Sequence, residues 1–237
     1  MFGQMIKQLI NSVKFPVFIN SFNRPTYLKL IVQQFNQYKI KPIIIDNNST
    51  NPEVINYFNE FNNEKFLLIR FDQNLGHNVI FVNDIYNHLP KYFAYTDCDI
   101  KLNQYLPDNF LDELSNLTNV FKSYKAGFAL DISSGDLKNL KSKFGHNIIE
   151  WESHFWAKPL KHQKLEIFSA AIDTTFAVYN RQNENLCGGK KKHNAIRVGG
   201  KYTAIHLPWM KYDPISEEEL KFYKDNDVNK LSTWNSN

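Results

Sequence analysis

Cysteine is scarce in this chain. Cys98 and Cys187 are the only two among 237 residues, and they form no Cys-x-x-Cys pair. That excludes a disulfide framework and a cysteine-built zinc site, and it fits a reducing compartment. Long apolar runs are lacking too. None approaches the roughly 20 residues that a bilayer-crossing helix needs. The first residues, "MFGQMIKQLINSVK", carry neither the apolar core nor the cleavage site of a secretory signal. They do place Met5, Ile6, Leu9, Ile10 and Val13 on one helical stripe, a pattern shared by helices that pack on a parent domain and helices that lie on lipid. No segment repeats at a fixed period, which excludes a solenoid. Charge of either sign is not in large excess: 28 basic against 24 acidic residues leave +4. The excess reflects lysine-rich composition or a preference for anionic partners, and net charge does not choose between them.

What is present points to a packed α/β protein. Hydrophobic residues make up 43% of the chain, with 19 Phe and 12 Tyr, which excludes a disordered tail and suffices for a substantial core. From residue 15 to 100, short apolar runs alternate with helical patterns. "FPVFIN" (15–20), "KPIIID" (41–46), "FLLIRF" (66–71) and "YFAYTD" (92–97) read as strands. Residues 24–38, 51–61 and 76–89 read as helices, the first with Leu28, Ile31, Val32 and Phe35 on one face, the second with Asn51 as cap and Pro52 at its first position. Such alternation predicts βαβ units and a mostly parallel sheet flanked by helices.

After residue 100 the pattern loosens. The spacing predicts a helix over 106–121, strands over 125–132, 167–180 and 201–209, a Gly-rich loop over 182–200, a helix over 216–225, and an irregular stretch over 133–164. No linker divides the chain. The expectation is one domain over 1–237, with a nucleotide-binding half (15–100) and an acceptor-shaping half (101–237).

In parallel sheets, ligands bind beyond the carboxyl ends of the strands. The polar residues of the first half gather there in sequence: Asn20 to Arg24, Asp46 to Ser49, Asp72 to His77, then Asp97 and Asp99 in "FAYTDCDI". Two carboxylates one residue apart repel and are costly to bury. A divalent cation offsets that cost, and hard oxygen ligands suit Mg²⁺ or Mn²⁺ with substrate phosphates completing the shell. The plainer alternative is a strand-end turn with one Asp capping and the other solvated. Cys98 between them reads as a small core residue.

In that order, "FINSFNRPTYL", "IIIDNNST", "FDQNLGHN" and "FAYTDCDI" resemble the GT-A type glycosyltransferases, in particular the family-2-like enzymes of bacterial surface-polysaccharide assembly. The resemblance covers residues 15–100 well and is weaker afterwards. It implies a nucleotide-diphosphate-sugar-binding α/β fold and a metal-dependent transfer from a donor such as a UDP-sugar to a glycan or lipid-linked glycan. By it, Asp46 accepts hydrogen bonds from the base, Asn20 and Arg24 flank the nucleotide, and Asn74 and Gly76 form the "N-x-G" beside the donor. Asp97 touches the ribose or the metal, and Asp99 binds the metal. In similar enzymes a late histidine returns to that metal, here His206; the alternative is a strand-end histidine bonded to backbone.

Further downstream, "GGKKKHNAIRVGGK" (188–201) offers a loop that could fold over a diphosphate, chiefly through Arg197 or Lys201, or meet an anionic membrane; a solvated loop is the alternative. A catalytic base would be a carboxylate near the acceptor hydroxyl. Asp173, which interrupts an apolar run, and Glu152 are the leading candidates, with Glu150 and Asp131 behind them. Trp151, Phe155 and Trp156 are an aromatic group that either stacks on an acceptor sugar or packs. Two other readings compete. A nucleotidyltransferase would carry a Gly-rich loop after the first strand, where "NSFNRPTYL" has none. A nucleic-acid-binding module would carry an aromatic-interleaved basic stripe, whereas acidic residues crowd the strand ends. A cytoplasmic protein, with peripheral contact on the inner face of a membrane, is the expected location.

Overall fold

The computed structural model describes residues 2–187, 194–227 and 234–235. In chain order the elements are α1 (Phe2–Asn11), β1 (Val17–Ser21), α2 (Pro25–Gln37), β2 (Ile43–Asp46), α3 (Pro52–Phe61), β3 (Leu67–Arg70), α4 (Asn83–Tyr86) and β4 (Tyr92–Asp97). They continue with β5 (Ile100–Leu102), α5 (Phe110–Val120), β6 (Lys125–Leu130), β7 (Lys141–Ser142), α6 (Ile148–Ser153), β8 (Pro159–Leu160), β9 (Ile167–Ser169), β10 (Ala177–Asn180), β11 (Ala195–His206), α7 (Glu217–Asn226) and β12 (Trp234–Asn235). The chain divides into two compact units, residues 1–98 with 215–229, and residues 99–214 with 230–237.

In the first unit the strands run in the order β3-β2-β1-β4, all parallel. Val17, Phe18 and Ile19 of β1 and Ile43, Ile44 and Ile45 of β2 are fully buried, as expected of strands covered on both faces. Burying each such side chain contributes about 1.5–3 kcal/mol. Helix α2 starts on Pro25 and buries Leu28, Ile31, Val32 and Phe35; α3 starts on Pro52, with the Asn51 side chain accepting from Glu53 N. Helix α1 buries Ile6 and Ile10 and lies against α4, while Met5 of the same stripe is 41% exposed. The helix expected over 76–89 is only a 3-10 turn, Val79–Phe81, and the single turn of α4. Val82 is extended where the two meet. The β-branched run there and the flanking Asn78, Asn83 and Asn87 disfavour one continuous helix.

The second unit holds β10-β6-β11-β9-β8, with β5 on the far half of β11. Strand β6 is parallel to β11 and antiparallel to β10, and β5, β8 and β9 pair antiparallel with their neighbours. Its core is aromatic. Phe128 stacks on Phe176 at 4.4 Å, and Phe110 meets both. Gly127 on β6 permits that closeness, because a Cβ there would lie 2.2 Å from Phe176 O.

Two expected boundaries move. The strand expected over 167–180 is β9 and β10, separated by residues 170–176. Asp173, Thr174 and Thr175 carry side chains that compete for backbone hydrogen bonds and favour turns. Strand β11 begins at Ala195 rather than at 201. Gly199 and Gly200, read from sequence as loop, sit where its register with β6 shifts between Val198 and Thr203. They form a bulge, with Gly200 at φ +59°. The stretch over 133–164 contains β7, α6 and β8.

Candidate active site

The order 3-2-1-4 places a topological switch at the neighbouring carboxyl ends of β1 and β4, the position where open parallel sheets bind ligands. Asn20 and Asp97 are register partners there, and Asn20 Nδ2 donates to Asp97 Oδ1 at 2.9 Å. Asn20 Oδ1 in turn accepts from Asn47 Nδ2 at 2.6 Å. The same Asn47 amide donates to Gly76 O at 3.2 Å, and its Oδ1 accepts from Leu75 N at 3.0 Å. Asn47 is 1% exposed. One buried amide in the loop after β2 therefore ties the end of β1 to the loop after β3. Gly76 adopts φ +76°, which glycine tolerates without strain, and Asn74 Oδ1 accepts its N–H at 2.8 Å. Sequence reasoning placed Asn20, Asn74, Gly76 and Asp97 at strand ends. It noted Asn47 only as polar; its position directly after Asp46 was the available signal.

Asp46 is fully buried. Its carboxylate accepts from Ser49 Oγ and Ser49 N and lies 3.2 Å from Arg70 Nε. Burial pushes its pKa upward, and the Ser49 hydrogen bonds and Arg70 oppose that rise. Arg70, at the end of β3, also donates to Ser49 O at 2.7 Å. Asp46 thus anchors its own loop, and Arg70 is the half-exposed group beside it. The charged end of an otherwise apolar strand was the signal for Arg70. Asn23, fully buried at φ +51°, accepts from Thr50 N and Asn51 N through its side-chain oxygen and donates its backbone N–H to Ser49 Oγ.

Arg24 lies over Tyr27 at 5.4 Å and Tyr223 at 4.9 Å. Tyr223 belongs to α7, whose Glu219 accepts from Thr26 N at 3.1 Å and from Thr26 Oγ1. A carboxylate at the start of α2 meets its unpaired N–H groups and the positive end of its dipole. Neither Glu219 nor Tyr223 is legible as part of this loop from sequence, because both are almost 200 residues away.

Strand β4 ends at Asp97 and β5 begins at Ile100, so the carboxylate pair lies across a break rather than along one strand. The strand-alternation argument for a shared face does not apply, because residues 98 and 99 have no strand backbone. Cys98 is fully buried. Asp99 begins the second unit. Its carbonyl accepts from Leu207 N at 2.9 Å, and Ile100 is the register partner of His206. This brings His206 Nε2 to 3.7 Å from Asp99 Oδ2, with the imidazole held edge-on to Trp209 at 4.6 Å.

The divalent cation implied by the resemblance can be tested against this donor set. Two donors 3.7 Å apart can share an ion whose bonds to each are about 2.1 Å. Asp99 is 7% exposed, so a cation would also offset its burial. Among the described residues no group of three His, Cys, Asp or Glu side chains has metal-binding geometry. The donor set fits an ion that keeps two protein ligands and takes the rest from substrate and water.

Two other candidates prove to be partners of each other. Glu152, 1% exposed, pairs with Arg197 Nη1. Arg197, 4% exposed, also donates Nε–H to Ala171 O at 2.8 Å and lies 3.9 Å over the Phe155 ring. Burial lifts Glu152 to about 7 against the pull of Arg197, and burial lowers Arg197. The guanidinium is thus held by a carboxylate, a backbone carbonyl and an aromatic face. Asp173 sits exposed between β9 and β10, and Lys201 is exposed on β11. Lys190, Lys191 and Lys192 lie outside the described residues.

No protein-family model matches the chain, and no curated protein matches it. Among solved structures, it is similar to the crystal structure of S. aureus TarS 1-349, with a TM-score of 0.42 and 11% identity over 71% of this chain and 47% of that one. It is similar to the same protein in complex with UDP, with a TM-score of 0.37 and 13% identity over 54% and 39%. A third is the galactosyltransferase LgtC in complex with donor and acceptor sugar analogs, with a TM-score of 0.36 and 9% identity over 89% and 66%. The chain spans less than two thirds of the length of each of these structures.

Proposed function

We infer that the chain is a metal-dependent glycosyltransferase that takes a nucleotide-diphosphate sugar, a UDP-sugar by the resemblance of its motifs. Its acceptor is a saccharide or lipid-linked saccharide of surface-polysaccharide synthesis. The observation that carries this reading is the Asn20–Asp97 pair at the β1/β4 switch point, with Asn47 fixing the loops on either side. In the first unit, Asn20, Asp97 and the Asn74–Gly76 turn present polar atoms to the ribose and diphosphate, Arg24 supplies positive charge, and Arg70 stands beside the base-side Asp46. In the second unit, Asp99 and His206 hold the divalent ion. When bound, it stabilises the negative charge that develops on the departing diphosphate. Of the two candidate bases, Asp173 is the one an acceptor hydroxyl can reach; Glu152 is closed off by Arg197. The β1–α2 loop has no glycine to cradle a triphosphate, which weighs against a nucleotidyltransferase.

Thermal unfolding with UDP, GDP or CMP, each with and without Mn²⁺, tests the reading. A ligand at a hundredfold its Kd is expected to raise the midpoint by about 5–10 °C, and Asp99→Ala is expected to remove the metal-dependent part. Absence of a shift with every nucleotide overturns the transferase, and a metal-dependent shift that survives in Asp99→Ala overturns the metal assignment.

A further inference from the structure

Positive charge is concentrated in two stretches of the chain: residues 188–201, with four lysines, Arg197 and no acid, and residues 137–164. Residues 137–164 contain six lysines (138, 141, 143, 158, 161 and 164) and two glutamates (150 and 152), so this stretch carries +4, equal to the net charge of all 237 residues. Lys138 pairs with Asp213, and the other five lysines are exposed. Of the two acids, Glu152 is buried against Arg197 and Glu150 is turned into the capping box of α6, accepting from Asn147 N at 2.9 Å.

Large apolar side chains stand among these lysines instead of packing inward. Phe144 is 61% exposed and Ile149 52%. The Phe144 ring stacks on Trp151 at 5.7 Å and 3°, with the Lys143 ammonium 5.5 Å from its centroid. His146 lies against Trp151, and Trp151 continues to Phe155. An exposed Phe144 and Ile149 beside the exposed Lys141 and Lys143, backed by the half-buried Trp151, is the composition of a surface that enters the headgroup layer of an anionic bilayer: apolar side chains at the acyl boundary, ammonium groups on lipid phosphates. A Phe144 ring already stacked on Trp151 has less face to offer a sugar or a base, whereas insertion of a ring edge requires none. Helix α1, the other amphipathic candidate, buries Ile6 and Ile10 of its apolar stripe.

We propose that the face built by β7 and α6, with Lys141, Lys143, Phe144 and Ile149, is a docking surface for anionic membrane lipid. The proposal stands on this surface alone and does not depend on the donor chemistry.

Sedimentation of the full chain with vesicles tests it, comparing pure phosphatidylcholine with vesicles containing about a third phosphatidylglycerol. Binding to the anionic vesicles only, weakened by salt, is expected. Replacing Lys141 and Lys143 with Gln is expected to weaken it about fivefold per lysine, and the double variant Phe144→Ser/Ile149→Ser by about tenfold or more. All four positions are exposed, and an unchanged circular dichroism spectrum confirms that each variant is folded. A blue shift of the Trp emission on vesicle addition, lost in Trp151→Phe, is expected as well. Equal binding to both vesicle types, or wild-type binding by the folded Phe144→Ser/Ile149→Ser protein, overturns the proposal. So does binding to heparin or an oligonucleotide in place of vesicles, which makes the partner a soluble polyanion.

Discussion

At the scale of single residues, the buried Glu152–Arg197 pair yields a sharp expectation. Burial lifts Glu152 from 4.5 to about 7. Between those values the folded protein holds a proton that the unfolded chain has released. This group's contribution to stability is therefore present in full below pH 4.5 and is lost as pH rises to about 7. Glu152→Gln keeps an acceptor for Arg197 but does not titrate, so the difference in Tm between wild type and variant is expected to change across that window and to be flat outside it. A difference independent of pH shows that Glu152 is ionised throughout. The pair also shows why sequence alone assigned both residues to chemistry. A glutamate and an arginine 45 positions apart each look like a functional group until the fold closes one upon the other. Asn47 is the opposite case: an amide with nothing to distinguish it from Asn48 in sequence, yet bonded to the end of β1 and to the loop after β3.

At the scale of elements, α7 acts as a clasp on the β1–α2 loop. Ser216 caps it, Glu219 takes the first N–H and the hydroxyl of Thr26, and Tyr223 lies under Arg24. Glu219→Ala is expected to cost about 1–3 kcal/mol through the unsatisfied Thr26 groups. Amide exchange over residues 22–28 is expected to accelerate, while exchange in β11 stays as it was. Uniform acceleration would mean that α7 is a general stabiliser rather than a clasp. The strands and helices of the first unit were largely legible, because uninterrupted apolar runs and proline-started helices are local signals. The second unit was less so. Apart from the parallel β6–β11 pair its strands pair antiparallel, β5, β8 and β9 are only two or three residues long, and a glycine bulge within β11 reads as a loop, so the contacts that make them strands come from distant residues. The strand ends, and with them the Asn20–Asp97 pair, were within reach of the sequence; the break between Asp97 and Asp99 was not, since a bend after an apolar run leaves no compositional mark.

At the scale of the whole molecule, the first unit is discontinuous: residues 1–98 are completed by 215–229. A chain ending at Pro214 is expected to retain the aromatic core of Phe110, Phe128 and Phe176, but to lose amide protection at the start of α2. Adding a peptide of residues 215–229 is expected to restore part of it. Protection in the shortened chain equal to wild type would show that the unit closes unaided. None of the described helices is long and apolar enough to cross a membrane, so attachment through the lysine-rich face would be reversible and sensitive to salt.

The split of the first unit also sets a timetable. Residues 1–98 leave the ribosome first, but the helix that clasps them is made after all of residues 99–214. At about 5–20 residues per second, the β1–α2 loop waits on the order of 10–40 s for Glu219 and Tyr223. During that interval Thr26 and Arg24 are without these two partners while the second unit is synthesised. The nascent protein thus gains its last contact to the switch-point loop only when nearly every other strand has been made, so a truncated product would lack it.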